Sequence, residues 1–157
     1  MPPIETVLRN DHHFWLQRGS LELEDGYPKL AQNFLDQAQA LAPDDPYVAC
    51  TYSHLLFRRA LDQVSSLDAK TFVEQARVQL KADILRRGEK NHHAYHILGS
   101  QTLAWVRRGL LTFEEKKVLL EELVEIMKEG AQRHPGSEVV TLKNAVLDEY
   151  LNLAVRH

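Results

Sequence analysis

The sequence predicts an all-α fold, an α-solenoid of three stacked helical hairpins followed by a C-terminal helix. Three observations predict it. Leu, Ala, Glu, Gln, Lys and Arg dominate the 157 residues, against only seven Gly and six Pro, a composition that favours helix throughout. No run alternates Val, Ile or Thr with polar residues as a half-buried strand does. The candidate helix caps Asp11, Asp45, Asn91 and Ser137 are separated by 34, 46 and 46 residues, and long recurring periods are the mark of repeat architectures.

Each element has its own start and stop signals. Asp11 opens a helix in NDHHFWLQRGSLELEDGYP that ends near Gly26. In LAPDDPYV one helix ends and another starts, with Asp45 as N-cap and Pro46 at the first helical position, where its missing N–H costs nothing. A break at SSLD offers Ser66 or Asp68 as the next cap, and the helix from Asp68 runs to Arg87. RRGEKN supplies basic residues in a last turn, Gly88 as the stop and Asn91 as the following cap. VRRGLLTFEE repeats the device with Gly109, and Thr112 with Glu115 forms a capping box ahead of a helix from Phe113 to Arg133. HPGSEVV then stops that helix and starts the last one from Ser137. A short turn at residues 3 to 9 precedes the array. Eight residues beyond each cap stand Gly19, Ser53, Gly99 and Ala145, all small, so neighbouring helices can approach closely there.

Apolar residues at helical spacing mark the buried stripes: Phe72, Val73, Ala76, Leu80 and Ile84 in the second unit, and Val118, Leu119, Leu123, Ile126 and Met127 in the third. A single hairpin cannot bury both of its apolar faces, so each must cover its neighbour. The whole chain reads as one domain with repeats at about 11–44, 45–90 and 91–136 and a terminal helix at about 137–157. That last helix is apolar over more than one face, which predicts a partner, a second copy or a further portion of a longer chain against it.

The first unit, with its 34-residue period, Trp15 followed by Gly19, Gly26 at the turn, Ala31 and Ala38 on the second helix and Pro43 at the exit, resembles a tetratricopeptide repeat. Arg18 and Glu22 stand where the family has Leu and Tyr, and the second and third units are twelve residues longer than its norm, so the chain is TPR-like. A weaker similarity, in HFWLQRG and APDDPYV, is to the repeat modules of bacterial NTPase and sirtuin-like immunity proteins. It implies the sensing part of an antiviral defence protein.

Composition excludes several function classes. With 19 Lys plus Arg against 22 Asp plus Glu the formal net charge is −3, and without a basic run a nucleic-acid partner is not expected. No apolar run approaches the roughly 18 residues that cross a bilayer, and the N-terminal stretch lacks a signal-peptide pattern, so a cytoplasmic protein without a membrane partner is expected. Cys50 is the lone cysteine, packing material with no disulfide or CxxC chemistry to join. No P-loop, dinucleotide fingerprint or nucleophile elbow is present, so no enzyme and no cofactor is expected. The paired arginines Arg58 with Arg59, Arg86 with Arg87 and Arg107 with Arg108 sit toward helix ends, where a cation gains about 0.3–1 kcal/mol from the macrodipole.

The histidines need separate weighing. In NHHAYH, His92 and His96 stand one helical turn apart, a spacing that can chelate a metal, and this metal-binding or catalytic reading is the alternative to a binding module. The pair His92–His93 is, however, the repeat equivalent of His12–His13. Helices two repeats apart are separated by about 16–20 Å, too far for one ion. Zinc also wants further ligands, and no HExxH accompanies the pair, so no metal is expected.

What remains is a surface. In tetratricopeptide proteins the inner groove is lined from the first helix of each hairpin, at positions 2, 5, 9, 12 and 13. The resemblance therefore implies His13, Leu16, Ser20, Leu23 and Glu24, then Tyr47, Cys50, His54, Phe57 and Arg58, then His93, His96, Ser100, Leu103 and Ala104. The last helix adds Val139, Leu142, Val146, Glu149 and Tyr150. Of these, His13, Tyr47, His54, Phe57, Arg58, His93, His96, Ser100 and Tyr150 are the expected partner contacts, for another protein or an extended peptide. The Lys and Asn set of the carboxylate clamp is lacking. Self-association through the C-terminal helix, giving a homo-oligomeric scaffold, is the third reading.

Overall fold

The computed structural model describes residues 10–62 and 66–156, without the side chains of Ser66 and Arg156. The turn expected at residues 3 to 9 and the first residue of the SSLD break lie outside them. The described residues form seven helices and no strand: α1 His12–Glu24, α2 Pro28–Leu41, α3 Pro46–Leu61, α4 Ser66–Arg87, α5 His93–Arg107, α6 Phe113–Arg133 and α7 Glu138–Arg156. None of them is long and apolar enough to cross a membrane.

Side chains tie down the helix starts. The Asp11 and Asn91 side chains accept from the backbone N–H two residues on, at His13 (2.9 Å) and His93 (2.8 Å). Asp45 accepts from Tyr47 and Val48, and Ser137 Oγ from Val139. Each satisfies a donor that the first turn of a helix leaves open. Both bonds of the Thr112–Glu115 capping box form, at 3.1 and 3.2 Å. The stops at Gly26 and Gly109 have φ of 89° and 84°, a left-handed conformation that only glycine adopts at no steric cost. Gly88 follows α4 without positive φ; a Cβ there would meet the Tyr95 ring at 3.0 Å.

Contacts gather the chain into two compact units, Met1–Gln79 and Leu80–His157, with the boundary inside α4. In the first unit α2 packs on both α1 and α3, and α1 also reaches α3. Leu23, Ala31, Leu35 and Leu55 form a buried cluster flanked by Leu16 and Tyr52. Gly19 faces Leu35 so closely that a Cβ would lie 2.6 Å from its Cδ2. The start of α4 lies along α3, with Ser53 Oγ 3.1 Å from Gln79 Oε1 and Arg59 over the Phe72 ring. Arg18 lays its guanidinium 5.1 Å from the Phe34 ring centroid, which covers an aromatic face while keeping the charge wet. His12 joins the two caps, its Nε2 3.1 Å from Asp45 Oδ2.

In the second unit α6 packs on α7, and α5 on both. Gly99 brings α5 against Met127 and Leu142, and Gly130 brings α6 against Tyr95. Tyr95 is 0% exposed; its hydroxyl donates to Glu129 (3.1 Å) and accepts from Arg133 (3.0 Å). The expected stripe of the long hairpin helix is rotated. Leu120, Leu123, Val124 and Met127 are buried, Leu119 and Ile126 are half-buried, and Val118 is 63% exposed. On α4, Val73, Ala76, Leu80 and Ile84 are buried as the spacing predicts, and so is Cys50 on α3.

Candidate functional site

Each unit presents part of the face implied by the groove positions, and packing decides how much. Position 12 is core: Leu23, Phe57 and Leu103 are 3%, 2% and 5% exposed. Position 5 is largely lost as well, since Cys50 is buried and Leu16 packs on the first unit's cluster. Phe57 is thus a correction to the expected contacts, because its ring faces the interior and offers nothing to a partner. On a helix, residues at 2, 9 and 13 fall along one narrow line, and on α1, α3 and α5 those side chains stay at the surface. In the first unit they include exposed His13 and Tyr47 and half-buried Ser20, His54 and Arg58.

The second unit holds the fuller set. Half-buried His93, His96 and Ser100, then exposed Ala104, follow one another at helical spacing along α5. Carboxylates of α7 stand beside them: Glu138 Oε2 lies 3.5 Å from His96 Nδ1, and Glu149 Oε2 accepts from Arg107 Nε at 3.3 Å. The two approach without a formed hydrogen bond, His96 Nδ1 being buried without a hydrogen-bonded partner. Ser100 Oγ donates to the Ile97 carbonyl. Val139 and Val146, expected in the groove, are 0% exposed. Tyr150 faces α6 instead, where its hydroxyl donates to Glu121 at 3.0 Å, and it lines an open cleft of about 280 Å³ with Phe113, Lys117, Leu153 and Ala154. The structure therefore brings His93, His96 and Ser100 together and leaves Tyr150 apart. The sequence reading missed Glu138, whose only signal was the preference for an acid in a first turn.

The imidazoles are electrostatically coupled. Burial pushes the His93 pKa below the usual histidine value, and the neighbouring His96 and His92 push it further, while Asp83 and Glu138 oppose the shift. The unfolded chain thus takes up this proton at higher pH than the folded one. Stability is whole above about pH 6.5 and declines as pH falls below it. Melting temperature is expected to drop between about pH 7 and about pH 5, and His93→Gln to flatten that drop. An equally steep drop in the variant would refute the assignment.

Among the described residues, ligand atoms converge not at His92 and His96 but at Asp11, His12 and His13, within 4.8 Å of one another. Two of these already have partners: Asp11 caps α1 and His12 pairs with Asp45. The positive end of a helix further disfavours a cation there. Near α5, His92 instead sets its ring 5.8 Å from that of His134, whose Nε2 donates to the Gly88 carbonyl at 2.6 Å. These contacts organise the end of one hairpin against the start of the next helix.

In comparisons with known proteins, no family model, curated protein or solved structure matches this chain.

Proposed function

We propose that the chain is a non-enzymatic protein-interaction module that binds a peptide or a partner protein through the first helices of its hairpins. One observation carries the reading. Positions 2, 9 and 13 keep His13, Tyr47, His54, Arg58, His93 and Ser100 at the surface, while their helical neighbours Leu23, Phe57 and Leu103 are drawn into the core. Each unit thereby holds its own short line of such groups: imidazole, phenol and guanidinium in the first, imidazole and hydroxyl in the second. Such groups can read the polar groups of an extended segment. The similarity of the first repeat to immunity-protein modules adds a proposed setting, with an intruder's protein as the partner sensed.

Affinity capture of the full chain with identification of bound proteins tests the reading. His54→Ala removes a half-buried side chain from the first unit's line, and His96→Ala removes the half-buried imidazole beside the second unit's line, at position 5. Each is expected to weaken capture about tenfold, the effect of losing roughly 1.4 kcal/mol. Melting temperature at neutral pH should hold. Capture that is identical for the native chain and both variants would overturn the proposal.

A further inference from the structure

The face of α7 turned away from the rest of the second unit has a regular order. Val140, Asn144, Leu147, Leu151 and Ala154 follow at spacings of four, three, four and three residues, the d-a-d-a-d rhythm of a coiled-coil seam. Val139 and Val146, which anchor α7 to its own unit, are 0% exposed and lie off this seam. On it, Leu151 is 51% exposed and Asn144 and Ala154 are exposed, while Val140 and Leu147 are half-buried; beside it Val155 is 85% exposed. We propose that this seam pairs with the same seam of a second copy of the chain, parallel and in register.

Three features select that occupant and orientation. Asn144 falls at an a position, where parallel in-register pairing sets it against its own counterpart and the two amides satisfy each other. Antiparallel pairing would set it against a d-position Val, Leu or Ala and leave a buried amide without a partner. Flanking charges agree. Lys143 is at g and Asp148 at the e position five residues later, and parallel pairing brings Lys143 of each copy to Asp148 of the other, whereas antiparallel pairing sets g against g and e against e. Neither side chain makes an ion pair within the chain among the described residues. The next such pair is Tyr150 with Val155, an aromatic face over the most exposed valine of the helix. The contact is isologous, so it closes at two copies.

The seam from Val140 to Ala154 is about 22 Å long at 1.5 Å per residue. An isolated peptide of that length does not hold a helix in water. In this chain α7 is already built onto α5 and α6, so ordering the helix is no part of the cost of pairing. The dimer is therefore a property of the folded chain, and its shortness makes it reversible. The proposal is independent of the peptide-binding reading, because the seam shares no residue with the α5 stripe.

Sedimentation velocity of the full chain, from low to high micromolar concentration, is the test. The native chain is expected to move from monomer to dimer as concentration rises. Leu151→Arg should stay monomeric throughout, with unchanged helical circular dichroism and melting temperature. Lys143→Asp and Asp148→Lys should each shift dimerisation to higher concentration, and mixing the two should restore it, because each unlike pair then meets across the seam. A native chain that is monomeric over the whole range overturns the proposal, as does a Leu151→Arg variant that dimerises like the native one. Weakening by both charge variants without recovery on mixing overturns the parallel register.

Discussion

Tyr95→Ala is expected to cost about 3–5 kcal/mol of stability, as large aromatic truncations in cores do. The ring is 0% exposed, held between α5 and α6, and its hydroxyl bridges Glu129 and Arg133. The same ring explains a glycine in the middle of a long helix. A Cβ on Gly130 would stand 2.7 Å from Tyr95 Cδ1 and 2.8 Å from Cγ, with Val139 at 3.0 Å. A ring atom next to its own Cβ has no flexible end to swing aside. Gly130→Ala in the native background should therefore destabilise by about 1–3 kcal/mol through overpacking. That cost outweighs the roughly 0.5–1 kcal/mol an alanine gains in helix propensity. In the Tyr95→Ala background the obstruction is gone and the same change should become neutral or stabilising. Urea denaturation of the four proteins closes the cycle. A coupling of about 0.5–3 kcal/mol is expected, and additivity within roughly 0.3–0.5 kcal/mol would show that the two residues do not share the site.

Gly19 and Gly99 follow the same logic, and they show which features were legible from sequence. Caps, stops and small residues at one recurring place are local signals, read in one dimension; the structure uses Asp11, Asp45 and Ser137 as caps, sets Asn91 one residue ahead of the N-cap His92 with its side chain still accepting from His93, and uses Gly19 and Gly99 as close approaches. The extent of α6, Phe113–Arg133, follows from its capping box and the His134–Pro135 stop. Facing was less legible. Val118 and Leu120 are both plausible members of an apolar stripe, and only the direction from which α5 and α7 approach buries the second and leaves the first in water. The candidate site suffered the same ambiguity. Phe57 and Arg58 are adjacent, and a helix turns 100° between them, enough to send one into the core and the other to the surface. Partners contributed by another helix, such as Glu138 to His96 and Glu149 to Arg107, carry no pairing signal in the sequence because they are brought near by α7 packing on α5.

Phe57→Ala provides the sharpest separation between packing and binding on this surface. The side chain is 2% exposed and occupies the same repeat position as Leu23 and Leu103, both buried. Truncating it should cost about 3–5 kcal/mol, a large share of the roughly 5–15 kcal/mol that holds a domain of this size together. His54→Ala, one turn earlier on α3 but half-buried, removes a side chain from the surface line, and surface changes typically stay within about 0.5 kcal/mol. The two variants should therefore part in opposite ways. Phe57→Ala lowers the urea midpoint strongly and loses partner capture only as far as it loses folded protein. His54→Ala keeps the midpoint and loses capture at full folding. If Phe57→Ala instead kept its urea midpoint and abolished capture, the ring would be a contact residue, and the division of the repeat face into a buried position 12 and an open line at 2, 9 and 13 would fail with it.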